Sequence, residues 1–214
     1  ASFLAYLGYG YLDTWHGAAT LALLPTFLWG LIRSRSLVKQ LLPLSAVFNT
    51  RQRIDLRSIY GVGHYILLMT AVSLVAGGAV IMTVGMTVVF VPQDLDYMCI
   101  GNASELSSIS ERLVPLIAHD RAGFGGGVCC CGLIMLGCAW FSPPMRSLWQ
   151  ALAIMGVAGF GSAIGVHYPI GYTNWFHLLP AYVGVTMFVV GMGCTYRRMC
   201  NQGITKGRSD ESTK

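Results

Sequence analysis

The stretch SAIGVHYPIGYTNWFHLLP, residues 162–180, has a second version near the start of the chain. Its segment GYTNWFH, residues 171–177, aligns without a gap on GYLDTWH, residues 10–16. The two copies share the pattern G-Y-x-[DN]-x-[WF]-H, and a long apolar run follows each of them. We interpret the copies as matched turns at one face of a membrane, each of which opens a membrane-spanning helix.

The composition is that of a membrane protein. Hydrophobic residues make up 54% of the chain and charged residues 11%, and the mean hydropathy is +0.59, whereas a soluble domain carries about 25% charged residues. Uncharged runs at 14–32, 58–93 and 122–145 can each hold one helix of about 20 residues, and the run at 147–196 can hold two. Because backbone in lipid must satisfy its own hydrogen bonds, these runs are helices. The sequence predicts an all-α, polytopic transmembrane helical bundle of about five spans.

The predicted spans lie within a transmembrane domain of residues 1–200. They cover residues 14–32, 59–90, 119–141, 148–166 and 175–196. Residues 1–12 are apolar but too short to span, and by the repeat they correspond to the end of a truncated helix. We expect a basic loop at 36–57, a polar loop with a short helix over 104–113 at 91–118, and a disordered tail at 201–214.

Glycine patterns predict where the helices approach one another. Gly77, Gly78 and Gly85 in the second span, and Gly161 and Gly165 in the fourth, suit close helix contact. The GFGGG run at 123–127 lacks the Lys-Ser/Thr and the preceding strand of a phosphate loop, so we interpret it as helix packing as well.

Charge sorts between the two faces when loops alternate sides. Twelve of the fourteen basic residues fall on one side, and six of the nine acids fall on the other. By the positive-inside rule the basic side, with the C-terminus, faces the cytoplasm. We expect a multi-pass protein of a bacterial inner membrane whose partners are the lipid bilayer and other membrane subunits, with no nucleic acid.

Histidines and carboxylates gather at the outer, acidic side. The candidate metal ligands there are His16, His119, His167, His177, Asp13 and Asp120. Imidazole suits zinc, copper or iron, and a nearby carboxylate would orient it. The cofactor predicted from this set is a metal ion or haem, and the sequence assigns no catalytic residue.

Two alternatives stay open for these residues. In the repeated motif, Asp13 or Asn174 would cap a helix and His16 or His177 would satisfy a backbone carbonyl. At 119–121, His-Asp-Arg would form a local ion pair at a helix start, or Arg121 would contact an anion.

Four segments resemble an uncharacterised family of bacterial polytopic membrane proteins built from two related halves. They are residues 2–25, 91–98, 113–132 and 159–172, with the signatures HDR-AGFGG and G-Y-x-[DN]-x-x-H. The resemblance covers roughly residues 1–190 and implies that the chain matches the last helix of a first half and a whole second half. It implies an architecture and no activity.

The function that the sequence favours is a membrane binding or accessory subunit whose outer cluster holds a metal, haem or small ligand. A membrane redox enzyme subunit acting near quinone depth is the first alternative. A small-solute transporter is the second, since internal repeats are typical of transporters.

Overall fold

The computed structural model describes residues 14–37 and 55–201, which form seven helices. In chain order these are α1 (Thr14–Leu37), α2 (Ile59–Met86), α3 (Pro92–Met98), α4 (Ala103–Ile109), α5 (Leu113–Phe141), α6 (Arg146–Gly165) and α7 (Trp175–Cys200). No strand occurs in the described residues, so the prediction of an all-helical protein is confirmed.

Four helices, α2, α5, α6 and α7, are long and apolar enough to cross a membrane. This finding confirms the predicted class, a helical membrane bundle. In α1 the apolar segment among the described residues is shorter and covers Leu21–Gly30.

Helices α2 and α5 pack antiparallel with their backbones in contact. A Cβ atom at Gly78 would lie 2.4 Å from the backbone nitrogen of Cys129, and one at Gly125 would lie 2.4 Å from that of Met82. No side chain fits at such distances. The glycines that permit this approach are Gly78, Gly85, Gly125 and Gly132. The expected packing is therefore present at Gly78, Gly85 and, within the GFGGG run, Gly125. At Gly77 and Gly127 the expectation is wrong, because no atom lies within 4 Å of a Cβ position there.

The glycine prediction for the fourth span is wrong in detail. Gly161 and Gly165 have no atom within 4 Å of a Cβ position. Instead, Gly156 accommodates the ring of Phe188 on α7, which would lie 2.1 Å from an added Cβ. The spacing of small residues shows that a helix can be approached, but not where its neighbour crosses it.

Helix α7 lies between α2 and α6, so the membrane-length helices follow the order α5–α2–α7–α6. Leu67 on α2 packs against Gly191, and the Trp149 indole nitrogen on α6 donates a hydrogen bond to the Met192 carbonyl at 3.0 Å. All four helices contribute to one core, made of Leu67, Ala71, Met135, Leu152, Phe188 and Met192.

This antiparallel order gives the bundle two chemically different ends. At the end we call the acidic end, α2 and α6 finish and α5 and α7 begin. The described acidic residues at this end are Asp94, Asp96, Glu105, Glu111 and Asp120. The described basic residues there are Arg112 and Arg121. The opposite end, the basic end, carries Arg57, Arg146, Arg197 and Arg198, with Asp55.

Helix bounds differ from the predicted spans at the acidic end. Helix α2 ends at Met86 rather than at residue 90, and Pro92 opens α3 instead of terminating α2. Helix α5 begins at Leu113, so His119 lies inside the helix rather than at its first turn. The short helix expected at 104–113 covers Ala103–Ile109. The segments predicted at 1–12, most of 36–57, and 202–214 lie outside the described residues.

Candidate functional site

Helix α3 is a seven-residue helix that turns Asp94 inward. Pro92 occupies its first position, where a missing N–H costs nothing. Asp94 stands in the first turn, and its Oδ2 accepts a hydrogen bond from the Val91 N–H at 2.9 Å. Only 6% of Asp94 is exposed. A buried carboxylate needs a cationic partner or several donors, and Asp94 has both.

Arg121 on α5 supplies the charge. Its Nη1 donates to Asp94 Oδ2 at 2.7 Å and to the Val89 carbonyl at 2.7 Å. Val89 has a φ of 64°, a left-handed conformation that is strained for a β-branched residue. Arg121 therefore holds the irregular segment after α2 as well as the carboxylate.

Tyr172, in the turn between α6 and α7, reaches the same carboxylate from the other side. Its hydroxyl donates to Asp94 Oδ1 at 2.8 Å. Burial raises the pKa of Tyr172, and the hydrogen bond to Asp94 and the charge of that carboxylate raise it further. The phenol thus stays protonated and acts as a donor to Asp94.

Burial alone would raise the pKa of Asp94. The hydrogen bonds from Arg121, the Val91 N–H and Tyr172, with the positive charge of Arg121, outweigh burial and hold the pKa below its usual value. Asp94 is therefore a carboxylate at neutral pH. Its Oδ1 accepts the phenolic hydrogen of Tyr172 and so orients the Tyr172 O–H bond toward Asp94.

His177 is linked to this pair through Tyr172. The Nδ1 atom of His177 lies 3.2 Å from the Tyr172 hydroxyl oxygen. Since the single phenolic proton of Tyr172 points to Asp94, the oxygen accepts, and Nδ1 of a neutral His177 carries the donated hydrogen. This tautomer leaves a lone pair on Nε2, the form in which imidazole binds metal ions.

His167 lies beside His177 across the same turn. Their ring centres are 5.2 Å apart, and the His167 ring centre is 5.8 Å from that of Tyr172. The Nδ1 atom of His167 is buried and has no hydrogen-bond partner among the described residues. We call these five residues, Asp94, Arg121, Tyr172, His167 and His177, the polar cluster.

The structure brings together two of the six predicted ligands, His167 and His177. His119 and Asp120 instead form a local contact, with His119 Nδ1 2.9 Å from Asp120 Oδ1, and the Asp120 side chain is 73% exposed. This is the local pair that the sequence left open. Asp13 and the side chain of His16 lie outside the described part of the structure.

The capping alternative is half right for the second copy of the repeated motif. Asn174 Oδ1 accepts a hydrogen bond from the His177 N–H at 3.1 Å, so Asn174 does cap α7. The His177 ring does not turn to a backbone carbonyl, however, but to Tyr172. The equivalent cap at Asp13 is not described.

Three members of the polar cluster were not among the predicted ligands: Asp94, Arg121 and Tyr172. Arg121 does contact an anion, and that anion is Asp94 of the same chain. A sequence signal for Asp94 exists, because Pro92 followed two residues later by an acid is typical of a helix start. Tyr172 stands in the repeated motif itself, beside the histidine.

Within residues 14–37 and 55–201, no three His, Cys, Asp or Glu side chains are placed to hold one metal ion together. The polar cluster offers two imidazoles and an orienting chain of hydrogen bonds. Chemically, it can hold an ion jointly with ligands from elsewhere, or hydrogen-bond a small polar molecule.

Comparison of the chain with protein-family models, with curated proteins and with solved structures finds no match.

Proposed function

We propose that this chain is a multi-pass membrane protein that binds a transition-metal ion at its acidic end and acts as a binding or accessory subunit. His167 and His177 are the protein ligands of this proposal, with the remaining positions filled by water. The observation that carries it is the chain of contacts in which the Tyr172 hydroxyl lies 2.8 Å from Asp94 Oδ1 and 3.2 Å from His177 Nδ1, beside the His167 ring.

The spacing of the two imidazoles supports the proposal. Two imidazoles bound tetrahedrally to one Zn²⁺, each with a Zn–N bond of about 2.0–2.1 Å, place their ring centres roughly 5 Å apart. The observed separation is 5.2 Å. A ligand histidine usually has its second nitrogen hydrogen-bonded to a group that orients it, as His177 does.

The same spacing favours a metal ion over haem. Two histidines that ligate a haem approach it from opposite faces, whereas His167 and His177 stand side by side at one turn. We therefore expect no Soret band from the purified protein. A haem would support the alternative of a redox subunit instead.

The test is metal binding by the full chain in detergent or nanodiscs. Zn²⁺ or Co²⁺ is titrated by calorimetry, and Co²⁺ is also followed by its visible absorption. We expect one ion per chain, bound at least roughly tenfold more weakly by His167→Ala and by His177→Ala.

Matched tyrosine variants test the orienting role. Tyr172→Phe removes the acceptor of His177 Nδ1 but no ligand, so we expect roughly ten- to a hundredfold weaker binding. Tyr168→Phe is the control, because the Tyr168 hydroxyl contacts Tyr182 at 2.9 Å and not the cluster. Unchanged binding in the His167/His177 double variant contradicts the proposal, and a loss in His119→Asn alone would move the site to His119.

We further propose the orientation and span count that the charges favour. The basic end faces the cytoplasm by the positive-inside rule, and α1 forms a fifth membrane element. Its exposed apolar side chains, such as Leu21 (76%) and Trp29 (65%), support contact with lipid or with another subunit. Reporter fusions at the C-terminus would test the orientation, with a periplasmic signal contradicting it.

A further inference from the structure

The basic end carries a second feature, which is independent of the polar cluster. A cleft of about 360 Å³ opens between the start of α6 and the end of α7. Its volume lies in the range of small-molecule sites, about 300–1,000 Å³. The lining residues are Arg146, Trp149, Gln150, Tyr196, Cys200 and Asn201.

The polar lining residues suit an anion. Arg146 has no ion pair with a carboxylate among the described residues, so its guanidinium remains available within that part of the chain. Gln150 and Asn201 also line the cleft, and their side-chain amides carry N–H donors. A guanidinium presents a planar fork of donors that matches a phosphate, and side-chain amides extend the same recognition.

The aromatic residues give the cleft a fixed wall. The Trp149 and Tyr196 rings meet edge to face with their centres 5.2 Å apart. Trp149 is also anchored by its hydrogen bond to the Met192 carbonyl. Tryptophan and tyrosine are enriched at the boundary between lipid tails and headgroups, so the cleft has the composition of that layer.

The surroundings favour a lipid over a diffusible anion. The two helices that form the cleft expose apolar side chains further along their length, including Ile154 (71%) and Val189 (61%). A phosphate at the cleft is therefore next to a surface that acyl chains can cover. Basic pockets between membrane helices are typical sites for anionic headgroups.

We propose that this cleft binds the phosphate-bearing headgroup of an anionic phospholipid, with Arg146 as its charged contact and Gln150 and Asn201 as neutral donors. This inference goes beyond the proposed metal site and does not rest on it. The two sites lie at opposite ends of the bundle, so each can fail without the other.

The experiment uses the full chain in detergent and native mass spectrometry. Short-chain phosphatidylglycerol and phosphatidylcholine are titrated separately, and the bound fraction is counted per chain. We expect one phosphatidylglycerol to bind at least roughly fivefold more tightly than phosphatidylcholine, because a nearby basic residue contributes that order of preference.

Arg146→Gln should weaken phosphatidylglycerol binding by roughly five- to tenfold and leave phosphatidylcholine unchanged. Gln150→Ala is a second cleft variant that keeps the charge and should weaken binding less. Arg197→Gln is the matched control, since it removes the same charge from the same end but does not line the cleft. All three positions are exposed, so circular dichroism should show wild-type folding.

Three outcomes would overturn the proposal. One is equal affinity for the two lipids. Another is the same loss in Arg197→Gln as in Arg146→Gln, which would mean diffuse attraction to the basic end. The third is complete displacement of the lipid by millimolar inorganic phosphate, which would make the cleft a free-phosphate site.

Discussion

Asp94→Asn removes the negative charge at the centre of the polar cluster. An asparagine has nearly the same shape and keeps an oxygen that can accept the Val91 N–H bond, so the start of α3 survives. It removes the negative partner of Arg121, which donates to Asp94 at 2.7 Å and to the Val89 carbonyl. It also places an NH2 group where Oδ1 accepts the hydrogen bond from the Tyr172 hydroxyl.

The expected loss follows from how buried the pair is. The Asp94 side chain is 7% exposed and that of Arg121 is 21% exposed. Breaking a fully buried ion pair by removing one partner costs about 3–5 kcal/mol. Because Arg121 is partly accessible, water can replace part of the lost interaction, and we expect a loss of about 2–3 kcal/mol in the free energy of unfolding.

The assay is reversible unfolding in mixed micelles. Helix content is followed by circular dichroism as the mole fraction of the denaturing detergent is increased. Asp96→Asn is the matched control, because Asp96 is an exposed carboxylate on the same short helix. Its effect should stay within about 0.5 kcal/mol. Arg121→Gln and the double variant complete a cycle, in which we expect a coupling energy of about 1.5–3 kcal/mol.

Additive single variants would refute the reasoning. If the double variant loses the sum of the two single losses, Asp94 and Arg121 do not interact energetically, and the close contact contributes nothing to the bundle. A loss in Asp96→Asn as large as in Asp94→Asn would also refute it, since the effect would then belong to net charge and not to the pair.

Acidification should remove the stabilisation that Asp94 provides. The folded-state pKa of Asp94 is lowered, so its contribution is complete at neutral pH, begins to be lost below about pH 4, the ordinary pKa of an aspartate, and is gone once pH falls past the folded-state value. The melting-temperature difference between wild type and Asp94→Asn should therefore shrink from pH 7 to pH 3, and a constant difference would contradict this. Gly125→Ala should destabilise the protein by about 1–3 kcal/mol, because the new Cβ would meet the Met82 nitrogen at 2.4 Å. Gly127→Ala in the same helix, with no atom within 4 Å, should be neutral or stabilising by up to about 1 kcal/mol in the same unfolding assay, and equal losses would contradict the contact.

Hydropathy was sufficient to predict the class of the protein, because a chain inside lipid has few ways to satisfy its backbone. It could not place the end of α2. The residues after Met86 are still apolar, but the chain leaves the helix there and Arg121 binds the strained Val89 carbonyl. That hydrogen bond joins residues 32 positions apart, so no local sequence pattern predicts it.

The membership of the candidate site was predictable only in part. His177 stands in the repeated motif and His167 lies four residues before that motif, and the two rings do lie together. Asp94 and Tyr172 are 78 residues apart, and they meet only because a turn and a short helix fold over the same end of the bundle. Irregular segments have no hydrophobic periodicity, so a single sequence does not predict which of their residues contact each other.

The glycine contacts between α2 and α5 have a consequence for how freely this chain can change. Gly78 and Gly85 are seven residues apart, as are Gly125 and Gly132, so the contact recurs every two turns on both helices. An interface made of backbone atoms specifies almost nothing about the outward side chains, which can diverge without altering the crossing. At the four glycines the reverse holds, because every possible replacement adds atoms where none fit. Much of this helix pair can therefore accept substitutions, whereas a side chain at any of the four glycines would separate the helices.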